Sequence, residues 1–198
     1  LVAVPFDLDR LEVTGSPTPL VEDVFMNRVS GNAEAAFSPE GTLLYLAGKG
    51  TDVPRELVWV DRQGKAKPVG MAPGAYEQPN LSPDGKKVAL HIQPPSDDVW
   101  QYDLGRGTLT RLTFQPGEDE APLWSPDGQR VAYSANMSSE PRAILWKNAD
   151  GSGKEEVLAT TGFHIHLGSF SPDGRLLAYT NYESETRGDL WLLPLTGD

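Results

Sequence analysis

One tetrapeptide returns four times along this chain at nearly even spacing. It reads Ser38-Pro39-Glu40-Gly41, Ser82-Pro83-Asp84-Gly85, Ser125-Pro126-Asp127-Gly128 and Ser171-Pro172-Asp173-Gly174, at intervals of 44, 43 and 46 residues. Self-similarity at a fixed period marks a modular array, and about 40–45 residues is the length of one four-stranded propeller blade. The tetrapeptide is turn chemistry. Proline presets φ at the first central position, an acidic residue follows, and glycine closes the turn. Its acidic residue is therefore expected to be structural rather than catalytic.

A β-rich run follows each turn: Thr42-Leu43-Leu44-Tyr45-Leu46, Lys87-Val88-Ala89-Leu90, Arg130-Val131-Ala132-Tyr133 and Arg175-Leu176-Leu177-Ala178-Tyr179. Apolar residues stand at consecutive positions instead of alternating, as in a strand buried on both faces. Trp59, Trp100, Trp146 and Trp191 come 18 to 21 residues after each serine. They are expected to share one column and to pack between adjacent blades, each indole N–H near a partner.

The unit around the second turn predicts four strands: Gln78 to Ser82 (a), Lys87 to Gln93 (b), Asp98 to Leu104 (c) and Thr108 to Phe114 (d). Short Gly-rich turns such as Gly105-Arg106-Gly107 join c to d. Helical periodicity is absent, so the expected fold is all-β: a β-propeller of four-stranded antiparallel blades, occupying 1–198 as one segment. Three blades are complete (31–74, 75–117, 118–163). Residues 1–30 supply strands c and d of a partial blade, and 164–198 supply strands a to c of another. Because propellers close with about 4–8 blades, two arrangements satisfy this count. The N-terminal strand d could complete the C-terminal sheet in a small closed ring. Alternatively the chain is an arc of a larger propeller, with exposed blade edges open to oligomerisation. The latter is favoured, and the start at Leu1 inside a strand pattern reads as a piece of something longer.

The repeat resembles the TolB-like, or WD40-like, β-propeller repeat, clearly over 31–198 and more loosely over 1–30. Within that family the phrases Leu57-Val58-Trp59-Val60-Asp61-Arg62-Gln63-Gly64, Leu109-Thr110-Arg111-Leu112-Thr113-Phe114 and Val2-Ala3-Val4-Pro5-Phe6-Asp7 are similar to propellers of bacterial membrane-anchored serine/threonine protein kinases. That resemblance implies a periplasmic or extracytoplasmic sensing or scaffolding module of a larger signalling protein. Related propellers gate substrate access in prolyl-oligopeptidase-like serine peptidases, the alternative reading. Fold alone does not choose between them.

Composition narrows the partners. The 28 acidic and 17 basic residues leave a net charge of −11, which argues against nucleic acid, since phosphate binding needs clustered Lys and Arg. No apolar run approaches the roughly 18 residues that span a bilayer, and no cysteine offers a thiolate ligand. Gly-x-Ser-x-Gly, phosphate-binding Gly-rich loops and kinase signatures are missing. No catalytic residue and no cofactor are expected, and the module is read as non-enzymatic. A protein or peptide partner, or a small ligand, is expected at the channel mouth.

Loops entering strand a gather at that mouth. Counting back from each serine places Asn32-Ala33, Tyr76-Glu77, Asp119-Glu120 and Ile165-His166 in register, with Glu118 and His164 nearby. The expected rim is Tyr76, Glu77, Glu118, Asp119, Glu120, His164 and His166. His164 and His166, two apart on a strand, share a face, and with Glu120 they are the weak candidates for a metal. No metal site is otherwise expected. His91 should be a satisfied histidine between blades, at the position held elsewhere by Ala47, Ser134 and Thr180. Longer loops between strands b and c contribute Glu140, Arg142, Glu183, Glu185 and Arg187 as further contact candidates.

Overall fold

The computed structural model describes residues 1–22, 24–25, 33, 35–38, 41–47, 54–93, 96–136, 141–182 and 188–195. Asn32, Glu140, Glu183, Glu185 and Arg187, all named above as contact candidates or register positions, lie outside the described residues.

Nineteen strands are present among the described residues, and the fold is all-β. An N-terminal ribbon contains β1 (Val2–Ala3), β2 (Phe6–Asp7), β3 (Glu12–Val13) and β4 (Thr18–Pro19). The first blade holds β5 (Ala35–Phe37), β6 (Leu43–Ala47), β7 (Glu56–Val60) and β8 (Ala66–Pro68). The second holds β9 (Tyr76–Leu81), β10 (Lys87–Ile92), β11 (Asp98–Asp103) and β12 (Thr108–Arg111). The third holds β13 (Glu118–Trp124), β14 (Arg130–Asn136), β15 (Arg142–Asn148) and β16 (Glu156–Thr161). The fourth holds β17 (His164–Phe170), β18 (Leu176–Tyr182) and β19 (Asp189–Pro194). Each blade is an antiparallel meander in chain order, the commonest solution for strands joined by short turns.

Among the described residues, four apolar clusters lie in sequence along the array. The ribbon packs Leu1 and Val21 on Leu43, Tyr45, Val58 and Val60 of the first blade. The first and second blades share Leu44, Leu46, Leu57, Val88 and Leu90. The second and third share Val99, Leu112, Val131 and Tyr133. Ile144, Ile165, Leu177 and Tyr179 join the third to the fourth. Both faces of strand b are thus buried in the first three blades, which explains their unbroken apolar runs, while β18 of the fourth blade buries one face.

The N-terminal strand does not close the last blade. β4 pairs with β1, and the fourth sheet has three strands in the order β17-β18-β19. Among the described residues, the expected completion of the fourth sheet by the N-terminal strand d is therefore corrected. A terminal hairpin satisfies its own backbone groups locally and needs no distant partner. On the outward face of β19, Leu190 is 88% and Leu192 66% exposed.

The turns behave as their chemistry predicts. Ser125 Oγ donates to Asp127 Oδ1 (2.6 Å) and accepts from Arg130 N (3.0 Å), while Asp127 Oδ1 accepts from Gln129 N (3.0 Å). The turns at Ser82 and Ser171 repeat the pattern. The serine hydroxyl holds each aspartate below its ordinary carboxylate pKa. Gly128 has φ +68, and a Cβ there would meet only the Pro83 ring, at an ordinary contact distance of 3.7 Å. Gly128→Ala should therefore cost about 1 kcal/mol from backbone strain alone. Urea unfolding checks this, and an unchanged midpoint would remove the turn from the stability argument.

The first turn is one residue shorter. Ser38 N bonds Thr42 O, whereas Ser82 N, Ser125 N and Ser171 N reach Lys87 O, Arg130 O and Leu176 O. Leu46, not Ala47, is consequently the counterpart of His91, Ser134 and Thr180. The tryptophans also fail to form one column. Trp59 pairs across from Leu44 and Trp146 from Ala132, which are equivalent positions. Trp100 pairs with Leu90 and Trp191 with Tyr179, one position further along and hence on the opposite face. Trp59 and Trp100 pack from two sides on the same inter-blade cluster. Trp146 stacks under the Arg130 guanidinium (4.1 Å), and its Nε1 donates to Glu156 Oε2 (2.8 Å). The fifth tryptophan is the one buried between blades. Trp124 donates its indole N–H to Asn80 O (3.1 Å) and its backbone N–H to Asn80 Oδ1 (2.9 Å).

Candidate functional site at the channel mouth

The innermost strands β9, β13 and β17, with Ala35 of β5, surround a cavity of about 320 Å³. Gln78, Asn80, Ala121, Leu123 and His166 are among its lining residues. Each of the three inner strands breaks register just after its mouth residue: between Ala89 and His91 opposite β9, between Glu120 and Leu123 on β13, and between Leu167 and Ser169 on β17. These are β-bulges, which re-aim side chains beside them. Gln78 (φ 49) and Ala121 (φ 52) take the left-handed conformation there. Gln78 Oε1 accepts the Ala121 N–H (2.6 Å), tying the two bulges together across the blade boundary.

Strand alternation splits the expected rim in two. Tyr76, Asp119 and Ile165 turn into inter-blade packing. Tyr76 lies in the apolar cluster between the first and second blades and donates its hydroxyl to Ala72 O (2.6 Å). Asp119 is buried, and its Oδ2 has no hydrogen-bond partner among the described residues. Burial raises its pKa to about 6 against the Thr113 hydrogen bond, with Asp98 and Glu155 adding to the rise. Neither Tyr76 nor Asp119 is a rim residue.

Glu77, Glu118, Glu120, His164 and His166 occupy the other parity and come together as polar groups. Arg55, which repeat alignment missed, donates through Nη1 to Glu77 Oε1 (2.8 Å) and to Tyr76 O (2.8 Å), under the Phe25 ring at 3.7 Å. Arg142 approaches Glu120 Oε1 (3.4 Å) and Glu118 Oε2 (3.9 Å). Arg55 immediately precedes β7 and Arg142 opens β15, equivalent positions where the second blade has Asp97 and the fourth Gly188.

His164 Nε2 lies 3.0 Å from Glu120 Oε1. Burial alone would raise the Glu120 carboxyl, but the His164 hydrogen bond and the His164, His166 and His91 imidazoles outweigh it and leave its pKa low. Burial pushes His166 below its ordinary pKa despite the Glu120 charge. His91 is fully buried and likewise lowered by desolvation. Its ring nitrogens have no hydrogen-bond partner among the described residues, and Asp97 Oδ1 stands at 3.9 Å. The expectation of a satisfied inter-blade histidine is corrected: it is inter-blade and buried, but not hydrogen-bonded.

Comparison with known proteins agrees with this architecture. The TolB beta propeller domain model matches residues 36–192. No curated protein matches the sequence. Among solved structures, the chain is similar to TolB from Acinetobacter baumannii (23% identity, TM-score 0.68), covering 85% of this chain and 45% of that one. Putative TolB from Agrobacterium tumefaciens shows 20% identity and a TM-score of 0.70, with 91% of this chain and 66% of that one covered. Oligogalacturonate lyase from Vibrio parahaemolyticus shows 16% identity and a TM-score of 0.63, with 96% and 56% covered. At these identities the likeness is one of fold, and the chain spans less than two thirds of the length of each. With four antiparallel blades set around a channel and a family model covering most of its length, this chain belongs to the TolB beta propeller domain family.

Proposed function

We propose that this propeller is a non-catalytic binding module whose channel mouth holds a protein segment, within a larger extracytoplasmic bacterial signalling protein. The observation that carries the reading is the contrast between turn and mouth. The Ser-Pro-Asp-Gly turns repeat one hydrogen-bond set, while Glu77, Glu118, Glu120, His164 and His166 differ from blade to blade on bulges at the mouth. A repeated scaffold that presents dissimilar polar groups at one end is the arrangement of a recognition surface. The excess of acidic residues here and the net charge of −11 favour a basic partner segment. The extracytoplasmic setting and the signalling parent rest on the resemblance to kinase-linked propellers.

Charge reversal at the mouth tests this. Glu118 is about one-third exposed and held by long contacts to Arg142 (3.9 Å) and Asn136 (3.4 Å), so Glu118→Lys should leave the fold intact. It is expected to weaken binding of fluorescently labelled Lys/Arg-rich peptides by about 10-fold or more at low salt, measured by anisotropy. Equal affinity of the variant, or no saturable binding by the parent chain, would reject the reading. If the extended reading frame proves to encode a Ser-His-Asp hydrolase domain in place of a kinase, the substrate-gating alternative replaces the signalling one.

A further inference from the structure

We infer that Glu120, His164 and His166 form a binding site for one divalent first-row transition-metal ion at the channel mouth. Each contributes a donor atom, and the three atoms all lie within 4.8 Å of one another. The inference stands apart from the partner reading above, since it needs no peptide.

The local structure explains why the donors converge. His164 and His166 alternate along β17 and so share a face. Their ring centroids are 5.0 Å apart at an interplanar angle of 44°. Tyr182, paired with His164 across the sheet, meets both rings edge-on at 5.5 and 5.9 Å and fixes their planes. Glu120 arrives from the neighbouring blade, immediately before the β13 bulge that turns its carboxylate towards β17. The Glu120–His164 separation of 3.0 Å already equals an edge of a coordination polyhedron with bonds of about 2.0–2.2 Å. Small side-chain rotations would bring the third donor to the same distance.

The donor set selects the class of ion. Two imidazoles with one carboxylate suit Zn²⁺, Fe²⁺ or Ni²⁺, whereas Ca²⁺ and Mg²⁺ call for all-oxygen shells. Three protein ligands leave at least one position open, and His166 also lines the channel cavity, so that position faces the channel. Arg142 lies 3.4 Å from Glu120 Oε1 and 3.9 Å from Glu118 Oε2. Its guanidinium orients the ligating carboxylate from the outer shell, and Glu118 offsets its charge.

The test is a ZnCl₂ titration of chelator-treated full chain by calorimetry, with CoCl₂ absorption in the visible as a second readout. The expected result is one ion per chain, a rise in thermal midpoint with Zn²⁺ in about 100-fold excess over Kd, and a cobalt d–d band. His164→Ala, at a half-exposed position, should weaken Zn²⁺ binding by about 100-fold or more and abolish the band. Glu120→Gln, which keeps side-chain shape, serves as the second variant and should weaken binding likewise. No saturable Zn²⁺ binding below about 1 mM would overturn the inference, as would unchanged binding by either folded variant.

Discussion

Trp124→Ala is expected to cost about 3–5 kcal/mol of unfolding free energy, whereas Trp191→Ala should stay within about 1 kcal/mol. Trp124 is only 6% exposed and belongs to the cluster shared by the second and third blades. Its truncation leaves a cavity there and strands the Asn80 carbonyl that accepts its indole N–H. Trp191 is 45% exposed and meets Tyr179 with ring centroids 6.3 Å apart, so little is lost with it. Guanidinium unfolding of the two variants makes the comparison. Equal losses would mean that the repeated tryptophans hold the blades together as much as the fifth.

Asp119→Asn should stabilise the protein at pH 7.5 and lose that advantage in acid. In the folded chain Asp119 has its pKa raised from 3.8 to about 6, chiefly by burial. Between those values the native state binds more protons than the unfolded chain, so stability falls as pH rises through the window. The cost is fully present above about pH 6 and absent below the ordinary aspartate value. Its upper size is about 3 kcal/mol for a shift of roughly two pH units. The amide carries no charge and can keep a hydrogen bond to Thr113, so the substitution removes the cost while retaining shape. Arg111 remains paired with Asp98 at 2.7 Å and does not depend on Asp119. The measurement is the difference in urea midpoint between variant and parent at pH 7.5 and at pH 3.5. A gain of the same size at both pH values, or a loss at pH 7.5, would contradict the burial argument.

The site was only half legible before the fold was known. Counting back from each serine brought Glu77, Glu120 and His166 into register, and the structure places all three at equivalent positions beside bulges. The same count admitted Tyr76 and Asp119, because a loop reading treats neighbours alike. In the structure these residues belong to strands, where adjacent side chains face opposite ways. Arg55 was missed because its partner, Glu77, lies in the next blade, a pairing that no spacing rule within a repeat reports.

The repeated turn and the doubly apolar strand b by themselves determined an all-β array of four-stranded blades, because both depend on interactions within a few residues. The period, the turn hydrogen bonds and the structural role of each turn aspartate follow from that local chemistry. Tertiary structure alone decided which face each side chain takes. One residue fewer after Gly41 shifts the first blade's register, and Trp59 and Trp146 stand one position further along strand c than Trp100 and Trp191, on the opposite face. It also decided that Glu120 of one blade meets His164 of the next. A strand's two-residue period makes a single insertion invert its facing, and contacts between blades join residues some 44 positions apart.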